Sequence, residues 1–119
     1  MSYTPIHIGL CGGRHPIVTN DGESVDEFVF PNAVENPLDF ESHRQTVFDY
    51  LRFKFDNDTY HHRVHLYVTG LTPLLTAFLH EWFRTESYWM EENSLILMHY
   101  DRDSEQYKAE RWYGNDETR

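Results

Sequence analysis

The run Val64-His65-Leu66-Tyr67-Val68-Thr69-Gly70-Leu71-Thr72-Pro73-Leu74-Leu75-Thr76-Ala77-Phe78-Leu79-His80-Glu81-Trp82-Phe83-Arg84 decides how this chain is read. Val64 to Val68 is β-branched, aromatic and without clean polar alternation, the pattern of a strand covered on both faces. Gly70 permits a positive φ, Thr72 offers a capping hydroxyl, and Pro73 falls where a missing N–H costs a helix nothing. The segment reads as strand, tight loop and helix. Such a junction aims free backbone N–H groups and the positive end of the helix dipole beyond the strand, where an anion is the natural guest. With one glycine and no lysine, it is neither a dinucleotide fingerprint nor a Walker A loop.

Working outward, Ile6-His7-Ile8-Gly9-Leu10-Cys11 makes a first strand, followed by Gly12-Gly13-Arg14-His15-Pro16. Two glycines allow close backbone approach to a ligand, and a planar cation and an imidazole come next. Cys11, among Ile6, Ile8 and Leu10, reads as a small buried hydrophobe rather than a nucleophile. Ile17 to Glu23 is expected to be loop, with Asn20-Asp21-Gly22 as its turn, and Val25 to Phe30 a short strand stopped by Pro31. From about Leu38 to Phe53, the positions Phe40, Val47, Phe48 and Leu51 mark one face of a helix, with Asp39 as its cap. The helix from Pro73 to Arg84 is apolar on more than one face, through Phe78, Leu79, Trp82 and Phe83, which predicts burial or packing against a second copy. Ser94 to Tyr100 is a buried-type strand, Asp101 to Ser104 a turn, and Gln106 to Tyr113 its antiparallel partner. Residues 114–119 form a polar tail.

The predicted architecture is one compact α/β domain over residues 1–113, three-layered and Rossmann-like, with a mainly parallel sheet and an antiparallel C-terminal edge hairpin. In open sheets of this kind, ligands gather beyond the carboxyl ends of the strands, at the switch point of the topology. That rule brings together three loops: Gly12-Gly13-Arg14-His15, Thr69-Gly70-Leu71-Thr72 and His99-Tyr100-Asp101-Arg102. They hold two arginines, two histidines, two threonines and a tyrosine, an inventory suited to phosphate.

Twenty acidic against ten basic residues in 119 give a formal charge of -10. Such a surface disfavours long DNA or RNA. It fits an ordinary soluble surface, adaptation to high salt, or mimicry of nucleic acid. No run is long and apolar enough for a membrane span, and the first residues lack a signal-peptide pattern, so a cytoplasmic protein is expected. A single cysteine leaves no intrachain disulfide and no cysteine-based metal cluster. Of eight histidines, the densest group is His61-His62-Arg63-Val64-His65. Neighbours on a strand point apart and no zinc-type spacing is present, so neither a metal nor a cofactor is expected. A Ser/His/Asp set and a Gly-x-Ser-x-Gly elbow are also missing.

The Arg-His-Pro loop after a first strand, followed later by an apolar strand, Gly-Leu-Thr-Pro and an apolar helix, resembles small proteins built on the CRISPR-associated Rossmann-like (CARF) domain, including compact ring nucleases. The similarity spans Ile6 to Pro16 and Val64 to Phe83, about a quarter of the chain. It implies a homodimer holding a cyclic oligonucleotide, cyclic oligoadenylate above all, and a free-standing sponge or ring nuclease of the kind a virus turns against host immunity. With no effector domain in the sequence, a sensor that switches an attached nuclease is not expected. Cleavage without metal would use attack by a ribose 2′-hydroxyl, with Arg14 and backbone N–H groups near Gly70 stabilising the phosphorane and His15 as acid or base. Gly12, Gly13, Thr69, Gly70, Leu71, Thr72, His99 and Arg102 would complete the ligand site. A competing reading is an acidic mimic of nucleic acid that inhibits a host defence protein and does no chemistry.

Overall fold

In the computed structural model, which describes residues 4–13, 15–55, 61–84 and 93–113, the central run becomes the middle strand of a sheet. The elements are β1 (Thr4–Cys11), β2 (Ile17–Val18), β3 (Ser24–Val25), β4 (Phe28–Phe30), α1 (Phe40–Phe55), β5 (His62–Tyr67), α2 (Thr72–Trp82), β6 (Ser94–Asp101) and β7 (Gln106–Tyr113). The main sheet has the order β4-β1-β5-β6-β7, and β2 and β3 form a separate small hairpin. β4, β1, β5 and β6 run parallel, while β7 returns antiparallel to β6. The mainly parallel α/β sheet with an antiparallel C-terminal pair is therefore what the chain forms. Among the described residues no helix is long and apolar enough to cross a membrane.

Handedness explains which face each connection takes. From β1 the chain moves outward to β4, then reverses past β1 to β5 and β6. Keeping crossovers between parallel strands right-handed puts the first connection on one face and the next two on the other. Both helices accordingly share one face: Ile8, Leu10, Val64, Leu66, Leu95 and Leu97 pack against Val47, Leu51 and Phe55 of α1 and Leu74, Phe78 and Trp82 of α2. On the opposite face Tyr67, Ile96 and Met98 are met by Ile17 and Val25 of the β2–β3 hairpin, with Phe28 and Tyr107 at the margins. The segment between β1 and β4, with its Asn20-Asp21-Gly22 turn, forms a hairpin where a doubly wound sheet would carry a helix. Gly9 admits the Phe28 ring, which any Cβ at that position would strike.

Several local expectations shift for identifiable reasons. Val25 to Phe30 is two short strands interrupted at Asp26-Glu27, and the expected loop from Ile17 contributes β2. Thr72 is the first residue of α2 rather than its cap: Leu71 occupies the cap position in extended geometry with no side-chain bond. Pro73 in the first turn has already removed one donor that would need capping. Asp39 does cap α1, its carboxylate accepting from the Ser42 N–H at 3.3 Å. The core face of α1 is His43, Val47, Leu51 and Phe55, which leaves Phe40 51% exposed. The apolar faces of α2 are taken up inside the chain. Phe78 and Trp82 are 0% exposed, and Leu79 and Phe83 pack at the core margin. The apolar excess that suggested a second copy thus has its partners within one protomer.

The far end of α1 is tied to the strand side through Glu27. Its carboxylate accepts hydrogen bonds from the Tyr50 hydroxyl and from Lys54 Nζ at 2.9 Å. Burial disfavours charge on Glu27, yet the two hydrogen bonds and the lysine charge outweigh it and hold the carboxyl below its ordinary value of 4.5. A carboxyl depressed by folding contributes stability above its unfolded pKa and loses it as pH falls through the folded one. Acid unfolding of the wild type should therefore begin below about pH 4.5 with a contribution from this site, and Glu27→Gln should flatten that limb in urea titrations across pH 2–6. The side chain is 41% exposed, so solvent screening keeps the effect small. An acid limb identical in the variant would contradict the assignment.

Candidate functional site

β1 and β5 are neighbours whose outgoing connections leave on opposite faces, and this makes the crevice between them the switch point of the sheet. Thr69 locks its floor. The hydroxyl donates to the Cys11 carbonyl at 2.9 Å and accepts from the Cys11 N–H at 3.3 Å, so its one proton and one of its lone pairs are spent on joining the two strand ends. Gly70 follows at φ +92, and a Cβ there would lie 2.9 Å from Cys11 Cβ. The backbone can make this close crossing only with glycine. Cys11 itself is buried, its thiol directed at the Gly12 and Asn32 carbonyls, as a core cysteine rather than an exposed nucleophile.

Above this floor lies a cavity of about 660 Å³. His15 and Pro16 bound it on the β1 side, Thr69 and Gly70 at the base, Ile17 to Asn20 along the hairpin, and Tyr100 with Glu105 to Tyr107 on the far wall. A side-chain clamp fastens the hairpin over it. Asn20 Nδ2 donates to the Tyr107 carbonyl at 3.0 Å, and Asn20 Oδ1 accepts from the Tyr107 N–H at 2.9 Å. The amide occupies the place of a neighbouring strand residue and blunts the open edge of β7 at that point.

The wall is aromatic and connected. Tyr100 and Tyr107 meet edge to face with centroids 5.2 Å apart, and Tyr107 meets Tyr67 in the same way at 4.8 Å. The Tyr67 hydroxyl is in turn 2.9 Å from His7 Nδ1. Burial foremost, then Tyr107, Asp21 and Glu23, pushes Tyr67 up to about 12. Burial and the neighbouring Tyr100 raise Tyr107 as well. Both phenols stay neutral at physiological pH; Tyr107, on the cavity wall, supplies a face for stacking and a hydroxyl for hydrogen bonds rather than a base, and the buried Tyr67 backs it.

Of the expected site residues, His15, Thr69 and Gly70 line the cavity. Gly12 is buried beneath the Pro31 carbonyl, 2.8 Å from where its Cβ would sit, and Gly13 is a positive-φ turn at +78. Arg14 lies outside the described residues. Leu71 and Thr72 are exposed at the start of α2 and do not line the cavity. His99 is turned to the opposite face from Tyr100 by strand alternation and bonds Glu110 at 2.7 Å. Arg102 sits exposed in the turn. The histidine-rich start of β5 divides between the two faces: His62 lies against Phe55 of α1 and His65 meets His7 on the other side. Among the described residues no group of three or more His, Cys, Asp or Glu could hold a metal ion.

The sequence reading missed Asn20, Glu105, Gln106 and Tyr107. One signal was available: a four-residue turn at 102–105 pairs Tyr100 with Tyr107 by simple counting, the register that β6 and β7 adopt. No protein-family model, curated protein or solved structure matches the chain.

Proposed function

We propose that the protein binds a nucleotide messenger of the cyclic oligonucleotide type, with adenine as the expected base, in the crevice at the switch point, and thereby sequesters it. One observation carries this reading: an open cavity with exposed tyrosine on its wall lies beyond the carboxyl ends of adjacent parallel strands, where Rossmann-like sheets take nucleotides. Its 660 Å³ falls within the range of about 300–1,000 Å³ typical of small-ligand sites. That suits one or two nucleotides. A larger ring would have to be shared by two copies, which is how the expected homodimer enters the proposal. Aromatic faces hold bases, and the Gln106 amide, on the cavity wall, offers hydrogen bonds to their edges. The protein would meet such a messenger in the cytoplasm.

The chemistry, if any, rests on His15, the imidazole on the wall, acting with Arg14 on a phosphate near Gly70. The deciding experiment is titration calorimetry with adenosine monophosphate, ApA and cyclic adenylates of two, three, four and six units, with mass spectrometry of each mixture in EDTA. Retention of an intact ring supports the sponge. Linear products, falling by roughly 10²–10⁴ in His15→Ala, support a metal-independent ring nuclease. Failure to bind any of them would overturn the nucleotide reading. Tyr100→Ala should weaken binding about 5- to 150-fold, the ~1–3 kcal/mol of a lost base stack. The unfolding midpoint should hardly move, because this tyrosine is 52% exposed.

A further inference from the structure

The turn that closes the cavity's far wall contains the one non-glycine residue at positive φ among the described residues, Glu105 at +56. Glycine or asparagine relaxes such a position, and a glutamate there is strained. The side chain does not build the turn. Asp101 does that, one carboxylate oxygen accepting from the Asp103 N–H at 3.1 Å and the other from the Ser104 hydroxyl at 2.8 Å. Among the described residues Glu105 takes part in no hydrogen bond or ion pair. Glu105 lines the cavity together with Tyr100 and Gln106, and its carboxylate is an uncommitted acceptor.

We propose that Glu105 accepts a hydrogen bond from a ribose hydroxyl of the nucleotide whose base lies on Tyr100, so that the site selects ribonucleotides over deoxyribonucleotides. This inference rests on the nucleotide reading above. An ionised carboxylate can only accept, which makes it repel phosphate and suit a sugar hydroxyl. The sugar is thereby assigned to the Glu105 wall, and the phosphate to the opposite side, by His15 and Gly70. Acidic residues take ribose hydroxyls in this way in dinucleotide sites built on parallel sheets.

The test uses the full chain with two probes, ApA and its deoxy counterpart dApdA, in titration calorimetry, together with thermal unfolding. Wild type should prefer ApA by roughly ten- to a hundredfold, the worth of a hydrogen bond to a charged group. Glu105→Gly should bring the two affinities together while raising the Tm by about 3–6 °C, because the strained backbone is released. Glu105→Gln, which keeps one acceptor, should retain part of the preference. A purely structural role would not couple a gain in stability to a loss of sugar discrimination. Equal wild-type affinities, or a preference that survives in Glu105→Gly, would overturn the ribose assignment and leave nucleotide binding standing. An unchanged or lowered Tm in Glu105→Gly would overturn the claim that the carboxylate is held at a cost. If neither dinucleotide binds, the nucleotide reading falls too.

Discussion

Trp82→Ala is expected to remove about 3–5 kcal/mol of folding stability, the cost of emptying a large aromatic site in a core. The indole is 0% exposed, stacks on Phe78 at 5.8 Å and meets Phe55 edge-on at 6.1 Å. It therefore joins α2 to the last turn of α1 over the sheet. Domains of this size have about 5–15 kcal/mol in total, so the variant should unfold at markedly lower urea, and Trp82→Glu should not fold at all. The same residue in a dimer interface would behave differently, with a folded monomer of unchanged unfolding midpoint and an altered mass by light scattering. That pair of results would remove Trp82 from the protomer core.

The Trp82 comparison marks where sequence patterning stops being informative. Phe78, Leu79, Trp82 and Phe83 announce burial, but hydropathy is the same whether the cover is another part of the chain or a second copy. β5, β6, β7 and α2 were legible because each is a long apolar or alternating run bounded by glycine, proline or turn residues. β2 was not, since two residues cannot display a period, and for the same reason β3 was merged with β4 into one run from Val25 to Phe30, although Asn20-Asp21-Gly22 was legible as a turn. In α1 the face was misjudged at Phe40 because the core row advances by fours from His43, whose ring is accounted for by a hydrogen bond to the Pro37 carbonyl at 2.9 Å. An imidazole does not register as an apolar position.

The placement of the site divides in the same way. Gly70 and the Gly12-Gly13 loop mark the ends of neighbouring parallel strands, so the floor of the crevice could be read from punctuation alone. Which side chains rise around it depends on parity. Tyr100 faces the cavity while His99 faces away, and a shift of one residue would exchange them. The hairpin wall was harder still, because nothing near Asn20 in sequence indicates that its amide will fasten on Tyr107, 87 residues away.

Gly70→Val is expected to lose about 3–4 kcal/mol of stability and, beyond that, to abolish ligand binding. Two costs add. A β-branched residue at φ +92 carries roughly 1–2 kcal/mol of left-handed strain or more. Its Cβ would also stand 2.9 Å from Cys11 Cβ, a contact with the root of a buried side chain that cannot swing aside. Relief requires β5 and β1 to part at their carboxyl ends, where the Thr69 hydroxyl bridges to Cys11. Parting them distorts the cavity floor. Gly13→Ala supplies the comparison, because it meets the same backbone strain at φ +78 with its nearest neighbour, Ala33 N, at 3.3 Å. It should cost about 1–2 kcal/mol and spare the binding site. Urea unfolding of Gly70→Ala, Gly70→Val and Gly13→Ala separates the two terms. Equal losses for Gly70→Ala and Gly13→Ala would mean that the Cys11 contact is accommodated freely. Undiminished ligand binding by folded Gly70→Val would remove this crossing from the site.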